Sequence, residues 1–427
     1  MLNFIDLFAG AGGLSEGFIR AGYIPLAHIE MDKYACNTLR TRTAFHYLKK
    51  QNKLKIYERY LREKQEREDG SNLWGQVPKK IIDIVIQSTI GENTINGLFE
   101  KIDTLKGDKK IDIVIGGPPC QAYSVVGRAR MGKEAVENDP RNELYRYYVK
   151  FLERYQPKMF VFENVTGIRT AKSGKPLRDL NNLVEQLGYQ MDIKTQIASE
   201  HGVLQNRKRV IIVGWKTKDE KGRPTKFHYP ELLKKEDKYE VLKDLFLDLP
   251  KRKSGEGSLC EPIYYTKQIK EMHYLRKSKI RNGKLDFTTQ HIARPNNEND
   301  REIYRRAVSL WLKERKRINY ADLPKDLQRH KNKESFLNRF QVVDPFGNSH
   351  TVVAHIAMDG HYYIYPTINP TIENMRSLTI REAARLQSFP DDYFFEGCRT
   401  TIFKQIGNAV PVVLAEKIAK EIKRIIL

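Results

Sequence analysis

Short apolar runs in the first half of the chain predict buried β-strands. Runs of this length that carry no polar face are typical of parallel strands covered on both sides. Segments with helical spacing separate them, as at Leu14, Phe18 and Ala21. The repeated strand–helix–strand order predicts a doubly wound α/β domain, in which ligands bind beyond the carboxyl ends of the strands. The predicted strands are residues 2–8, 24–29, 111–115, 159–162 and 210–215.

The pattern changes near residue 217, where the sequence becomes rich in Pro, Gly, Lys and Tyr. A helical pattern returns after Thr379, and an amphipathic helix is predicted at 412–427. The charged stretch 49–68 is typical of a solvated helix. We therefore predict an α/β domain in residues 1–216, a second, smaller and irregular domain in 217–350, and a return to the first domain in 351–427.

The charge of the chain indicates a polyanionic partner. The formal net charge is +22, and residues 251–340 hold 23 Lys and Arg against 11 Asp and Glu. Nucleic acid is the leading partner class and an anionic membrane surface is the second. No apolar run approaches the roughly 20 residues that span a bilayer, and the start lacks a signal-peptide layout, so a soluble intracellular protein is expected. The four cysteines are scattered, which predicts neither a metal site nor disulfides.

A glycine-rich turn, residues 9–13 (Ala-Gly-Ala-Gly-Gly), follows the first strand. Glycines at a strand-to-helix turn let backbone N–H groups approach a ligand, and the helix N-terminus favours negative charge. Glu30 ends the next strand and could accept hydrogen bonds from ribose hydroxyls, which favours an adenosine-containing ligand. An ordinary tight turn and an exposed loop acid are the alternatives.

The motif Gly116-Gly117-Pro118-Pro119-Cys120 follows the third predicted strand. Two glycines and two prolines fix a rigid turn that presents the thiol at the carboxyl edge of the sheet. An isolated cysteine is usually a buried apolar residue, but such a residue has no need of so constrained a loop. Cys120 is therefore a candidate nucleophile, activated by nearby cations or a helix N-terminus.

Two further motifs supply charged groups at neighbouring strands. Glu163 ends the apolar strand Phe-Val-Phe-Glu-Asn-Val, where burial favours a protonated carboxyl, so it is a candidate proton donor. Arg207 and Arg209 occupy alternate positions before the last strand, so both side chains are expected to point the same way and grip a base oxygen or a phosphate. A solvated basic turn is the alternative for the two arginines.

Taken in order, these motifs resemble the DNA cytosine-C5 methyltransferase family, of the bacterial restriction-modification type. The resemblance covers about residues 2–215 and 376–427. It rests on FIDLFAGAGGLSEGF, GGPPCQAYS, FVFENV, QNRKRV, LTIREAARLQSFPDDY and QIGNAVP. It implies a Rossmann-like domain that depends on S-adenosylmethionine, and a target-recognition domain in residues 217–350, hereafter the recognition segment.

The resemblance also implies roles for individual residues. Cys120 would attack C6 of cytosine, Glu163 would protonate or hydrogen-bond N3, and Arg209 would contact the base carbonyl oxygen. Arg207 would hold the loop or backbone, and the cytosine would be flipped out of the duplex into this pocket. The loop after Cys120, through residues 127–130 (Gly-Arg-Ala-Arg), is long and basic enough to close over the DNA. The cofactor site would be lined by Phe8, Gly10, Gly13, Leu14, Glu30, Pro119, Asn408 and Ala409.

The implied partner is double-stranded DNA. The protein is expected to act as a monomer in the bacterial cytoplasm, at the nucleoid, and not at a membrane. Whether a cognate restriction endonuclease acts separately is left open. Two stretches depart from the family pattern: residues 91–93 (Gly-Glu-Asn) match the adenine-contacting acid only loosely, and residues 41–80 are longer than expected and resemble an insertion. Methylation of tRNA by the same chemistry, an inactive nucleic-acid-binding homologue and a nicotinamide-dependent oxidoreductase are the competing hypotheses.

Overall fold

A seven-stranded sheet forms the centre of the protein. The computed structural model describes residues 1–65, 68–119, 143–234, 238–329 and 334–427. The strand order in the sheet is β3-β2-β1-β4-β5-β8-β6. The strands, numbered along the chain, are β1 (Asn3–Leu7), β2 (Ile24–Glu30), β3 (Val85–Gln87), β4 (Ile113–Gly116), β5 (Met159–Asn164), β6 (Tyr189–Ile197), β7 (Gln205–Asn206), β8 (Lys208–Lys216), β9 (Ile263–Tyr264), β10 (Phe287–Thr288) and β11 (Ser349–His350).

The described helices alternate with these strands in the first half of the chain and dominate its end. Two short strand pairs lie outside the central sheet among the described residues: β9 pairs with β10, and β11 pairs with β7. The helices are α1 (Gly13–Arg20), α2 (Lys33–Lys50), α3 (Leu54–Glu63), α4 (Ser71–Trp74), α5 (Lys79–Ile82), α6 (Ile95–Lys106), α7 (Leu144–Tyr155), α8 (Lys175–Gln186), α9 (His273–Lys277), α10 (Glu298–Glu314), α11 (Ile380–Leu386), α12 (Arg399–Asn408) and α13 (Val412–Ile426).

Helices cover both faces of the sheet, which explains the continuous apolar runs of its central strands. On β1, Phe4 packs with the side chains of α1 and α13, whereas the next residue, Ile5, packs with those of α6, α7 and α8. Both residues are fully buried. Because successive side chains point to opposite faces, a strand between two helical layers must be apolar at every position. The predicted α/β fold is confirmed.

The direction of the last central strand differs from the prediction. β8 runs antiparallel to both β5 and β6, whereas the strand at 210–215 was expected to be parallel. The chain turns from Ile197 at the end of β6 to Lys208 at the start of β8, which are paired. A connection this short has no room for the helical crossover that a parallel strand requires. β6 itself escaped prediction because it is half exposed and carries no apolar run.

The second half of the chain contains more regular structure than its composition indicated. The 17-residue helix α10 is capped by the preceding residue, Asn297, whose side chain accepts a hydrogen bond from the backbone N–H of Asp300. Its buried face, with Ile303 and Tyr304, packs against Phe340 in a local apolar cluster.

Within the described ranges, every helix is too short or too polar to cross a bilayer.

Residues 41–80 form helices, as the charged stretch predicted, but these helices are not merely solvated. The side chains of Tyr57, Tyr60 and Leu61 on α3 are buried. They belong to an apolar cluster that also contains Phe287 of β10 and Phe394. The stretch that the sequence marked as an insertion therefore packs against part of residues 217–350 and against the C-terminal part of the chain.

Candidate active site

The glycine-rich turn lies between β1 and α1, at the carboxyl edge of the sheet. Phe8 and Gly10 have positive φ angles of 57° and 55°, and Gly12 caps α1 with φ 78°. A methyl group added at Gly10 would have no atom within 4 Å. The turn thus leaves open space on one side of the Gly10 backbone, as a ligand that approaches the backbone requires.

Glu30 lies beside this turn and fixes its shape. The Glu30 Oε2 atom accepts a hydrogen bond from the Gly10 N–H (2.8 Å), and Oε1 accepts from the N–H groups of Met31 (2.9 Å) and Asp32 (2.8 Å). A carboxylate offers about four acceptor positions, so it can still accept a hydrogen bond from a hydroxyl group. The contact of Glu30 to a ribose stays a prediction.

The C-terminal part of the chain closes the other side of the turn. A methyl group added at Gly13 would lie 2.3 Å from the Val410 carbonyl oxygen and 3.1 Å from the Ala409 Cβ. Leu14 is buried next to Gly13, whereas Asn408, the last residue of α12, is exposed. The structure therefore brings together the glycine-rich turn and residues 408–410, which are about 400 positions apart in the sequence.

Three buried polar side chains, those of Asp6, Ser15 and His28, form a small cluster next to the glycine-rich turn. The Ser15 hydroxyl donates to the buried Asp6 carboxyl and lies 3.2 Å from the His28 Nδ1 atom. Burial raises the pKa of Asp6 to about 8, with the Ser15 hydrogen bond opposing and the Glu30 charge adding to the shift. Burial lowers the pKa of His28 to about 4. Near neutral pH, Asp6 is therefore protonated and His28 is neutral.

The Gly-Gly-Pro-Pro loop sits between β1 and β5. A methyl group at Gly116 would lie 2.4 Å from the Leu7 carbonyl oxygen, and one at Gly117 would lie 2.8 Å from the Glu163 Oε2 atom. The Asn164 amide donates to the Pro118 carbonyl oxygen (3.3 Å). Gly116 is thus required by a close backbone contact, whereas Gly117 lies against the end of the Glu163 side chain. Pro119, half-buried, ends the described part of the loop. Cys120 and the loop 127–130 lie outside the described residues.

Glu163 and Arg209 form an ion pair beside this loop. The Arg209 Nε atom lies 2.8 Å from the Glu163 Oε1 atom, and both side chains are mostly buried, with exposures of 13% and 11%. The pair forms because β5 and β8 are neighbours, with Asn164 opposite Val210. A carboxyl group and a guanidinium group, both partly shielded from water, are thereby held next to the segment that leads into Cys120.

Arg207 does not share this location with Arg209, contrary to the expectation from their alternate positions. Its side chain is 1% exposed, and its guanidinium donates to the carbonyl oxygens of Val352 (2.6 Å) and Gly407 (3.2 Å). Arg207 lies in the break between β7 and β8, so the strand alternation does not extend to it. Its contacts agree with the other implied role, which was to hold backbone.

Tyr393 contacts the glycine-rich turn; the sequence contained it in the motif LTIREAARLQSFPDDY but indicated no role for it. The Tyr393 hydroxyl donates to the Ala11 carbonyl oxygen in the glycine-rich turn (2.5 Å). The place of Tyr393 in that motif was the available signal. Glu92, from the loosely matching 91–93, contacts the Lys150 Nζ atom (3.2 Å).

Comparison with known proteins places this chain in a family. The family model described as "C-5 cytosine-specific DNA methylase" matches residues 2–68 and 77–424. The type II methyltransferase M.Bpa9945I of Bacillus paralicheniformis is 39% identical over 99% of this chain and 98% of its own. The type II methyltransferase M1.HphI of Haemophilus parahaemolyticus is 29% identical over 99% of this chain and 86% of its own.

Solved structures agree at the level of the fold. A prophage-encoded protein of E. coli, described as a DNA modification methyltransferase, has a TM-score of 0.59 and 24% identity over 100% of this chain and 99% of its own. The Entamoeba histolytica methyltransferase EhMeth has a TM-score of 0.55 and 15% identity, with the same coverage. The fold, the ordered motifs and the match along nearly the whole sequence lead to one conclusion. The chain belongs to the C-5 cytosine-specific DNA methylase family and is a DNA cytosine-5-methyltransferase.

Proposed function

We propose that the protein transfers a methyl group from S-adenosylmethionine to C5 of a cytosine within a specific sequence of double-stranded DNA. The cytosine is flipped out of the duplex, because its reacting atoms cannot be reached inside the base stack. The observation that carries this proposal is the Glu163–Arg209 pair, held at 2.8 Å directly beside Gly117 of the Gly-Gly-Pro-Pro loop.

The pair supplies what the cytosine ring needs for addition. C6 is a poor electrophile, so the Cys120 thiolate adds there and pushes an electron pair into the ring. Glu163 protonates or hydrogen-bonds N3, and Arg209 donates to the base carbonyl oxygen, which together stabilise the charge that develops. C5 would then take the methyl group, with the cofactor leaving as the thioether; transfer of the C5 proton to a base, return of the N3 proton to Glu163 and departure of Cys120 as a thiolate would restore the aromatic ring.

The cofactor would bind across the glycine-rich turn, where the residues present fit it. Gly10 leaves open space beside the backbone, and the Glu30 carboxylate keeps capacity to accept a ribose hydroxyl hydrogen bond. When bound there, S-adenosylmethionine supplies an electrophilic methyl group on a sulfonium. The other residues proposed to line its site are Phe8, Gly13, Leu14, Pro119, Asn408 and Ala409.

The recognition segment, residues 217–350, would choose the DNA sequence, while residues 1–216 and 351–427 carry out the chemistry. Its many Lys and Arg residues suit contacts to phosphates, and base edges would be read by a few side chains. We further propose that the protein acts as a monomer in the bacterial cytoplasm, at the nucleoid, as the modification enzyme of a restriction-modification system.

Covalent trapping tests the proposal. Wild-type protein is mixed with S-adenosylmethionine and a duplex of its target sequence in which 5-fluorocytosine replaces the target cytosine. It should form an adduct that resists denaturant, because fluorine at C5 cannot leave as a proton does. Cys120→Ser should form no adduct and should lose methyl transfer, yet still bind the duplex. Cys398→Ser, which changes an exposed cysteine, is the matched control and should behave as wild type.

Three results would contradict the proposal. Methyl transfer by Cys120→Ser at the wild-type rate would remove Cys120 from the chemistry. Adduct formation with tRNA but not with duplex DNA would show that RNA is the substrate. Absence of 5-methylcytosine in bisulfite sequencing of DNA from cells that express the wild-type protein would indicate an inactive, DNA-binding homologue.

A further inference from the structure

A buried segment after α11 contacts both the glycine-rich turn and the recognition segment. This bridging segment, residues 391–396 (Asp-Asp-Tyr-Phe-Phe-Glu), is almost completely buried although half of its residues are acidic. Buried acids are retained only when they are paired and hydrogen-bonded. The partners of its acids therefore show which parts of the molecule it holds together.

On one side, the bridging segment contacts the glycine-rich turn through Tyr393. The Tyr393 hydroxyl donates to the Ala11 carbonyl oxygen (2.5 Å), and a methyl group at Gly12 would lie 3.0 Å from that hydroxyl. The Tyr393 ring packs against Phe389 and Phe395, with ring centroids 4.8 Å and 5.1 Å away. Tyr393 thus contacts the turn, and Phe389 and Phe395 hold its ring in place.

On the other side, the two preceding acids contact the recognition segment. The Asp391 Oδ2 atom accepts from the Tyr265 hydroxyl (3.0 Å), and its carbonyl oxygen accepts from the Thr288 hydroxyl (3.0 Å). The Asp392 Oδ2 atom accepts from the Asn282 amide (2.7 Å). Residues 391–393 therefore hold both parts of the molecule within three consecutive positions.

A charged network links the same segment to the helix that follows the turn. Arg42 donates to Asp392 Oδ1 (2.8 Å) and, through Nε and Nη2, to both carboxylate oxygens of Glu16 on α1 (2.9 and 2.6 Å). All three side chains are at least nine-tenths buried. The insertion supports the segment further, since Glu396 contacts Thr41, Tyr60 and Lys64, and Tyr57 donates to the Asp392 carbonyl oxygen.

We propose that the bridging segment couples cofactor binding to DNA binding, with Asp392 and Tyr393 as positioning residues. The proposal rests on the proposed function, because it takes the glycine-rich turn as the cofactor site and residues 217–350 as the DNA site. Because the segment is hydrogen-bonded to both sites, a shift of the segment together with one site would break its hydrogen bonds to the other. A ligand that orders one site therefore reduces the entropy that the second ligand must remove, and the two bind with positive cooperativity.

The coupling is measured as a ratio of affinities. The Kd of S-adenosylhomocysteine is determined by calorimetry with and without a saturating duplex that the protein methylates. We expect the duplex to tighten binding of the wild-type protein by a factor within the roughly 5- to 150-fold range of such couplings. Asn282→Asp places a carboxylate against Asp392, and we expect it to bring the ratio to about 1 while the Kd without DNA stays unchanged.

Two further variants keep the result interpretable. Lys284→Ala, two positions from Asn282 and exposed, is the matched control and should keep the wild-type ratio. Tyr393→Phe removes only the hydroxyl group at Ala11 and should lower the ratio while the ring packing is retained. A general loss of DNA affinity does not affect the comparison, because the duplex is saturating and the ratio is taken within each variant.

The outcomes separate this inference from the proposed function. A wild-type ratio of 1, or an unchanged ratio in both Asn282→Asp and Tyr393→Phe, would overturn the coupling and leave methyl transfer intact. A wild-type protein that binds no S-adenosylhomocysteine at all would instead overturn the proposed cofactor site, and with it the proposed function.

Discussion

At the scale of single residues, Glu163 is the side chain on which the proposed chemistry depends most directly. Glu163→Gln should slow methylation by about 100-fold or more, as removal of a positioned proton donor does. The amide can still donate a hydrogen bond to N3, but it cannot deliver a proton, and it loses the ionic contact with Arg209. Single-turnover rates at saturating S-adenosylmethionine and DNA measure the chemical step apart from binding.

Glu153→Gln provides the matched control for this prediction. Glu153 lies exposed on α7, and its substitution removes the same charge without touching the β5–β8 pair. Equal single-turnover rates for wild type, Glu153→Gln and Glu163→Gln would show that Glu163 only stabilises the strand pair.

At the scale of elements, the contact between the start of α1 and residues 408–410 depends on the absence of a side chain. Gly13→Ala would place a methyl group 2.3 Å from the Val410 carbonyl oxygen, so the two parts of the chain must separate. Such overpacking costs about 1–3 kcal/mol. We expect a lower Tm and a weaker Kd for S-adenosylhomocysteine, by about tenfold for each 1.4 kcal/mol expressed in binding.

Gly97→Ala tests whether any added methyl group would have this effect. Gly97 lies within α6, and a methyl group there meets no atom within 4 Å. Alanine is favoured over glycine in a helix interior by roughly 0.5–1 kcal/mol, so the Tm of the Gly97→Ala variant should be equal to or above that of wild type. If Gly13→Ala matched Gly97→Ala in both Tm and Kd, the close contact at Gly13 would have no energetic consequence.

At the scale of the whole molecule, buried histidines make the fold sensitive to acid. Burial lowers the pKa of His28, His291 and His350 to about 4 from the usual 6.5. Below pH 6.5 the unfolded chain binds protons that the folded chain does not, so the free energy of unfolding falls as the pH falls towards 4. Asp6 acts in the opposite sense, because its folded pKa of about 8 exceeds the usual 3.8.

Three such histidines outweigh one such aspartate, so we expect lower stability at about pH 5 than at pH 6.5. Each net proton changes the free energy of unfolding by about 1.4 kcal/mol per pH unit. Urea unfolding across this range measures the slope. His350→Gln keeps a donor for the Tyr362 carbonyl oxygen but removes one titrating group, so its slope should be shallower by about one proton. Identical slopes for the two proteins would contradict this assignment.

The sequence by itself determined the features that depend on local chemistry. The strands β1, β2, β4, β5 and β8 were predictable because a strand buried on both faces must be apolar at every position. The glycine-rich turn, the Gly-Gly-Pro-Pro loop and the acid that ends β5 were also predictable, since each follows a strand end where parallel sheets bind ligands. These motifs, in order, were sufficient to indicate the family.

Only the tertiary structure decided which charged residues are buried and what they contact. Arg207 and Arg209 are equivalent in the sequence, yet one binds carbonyl oxygens of residues 352 and 407 while the other pairs with Glu163. The bridging segment likewise finds its partners at residues 11, 42, 265 and 282. Local periodicity reports only which face of an element is apolar. A buried charge is stabilised by groups distant in the chain, so its role is fixed only when the fold brings those groups together.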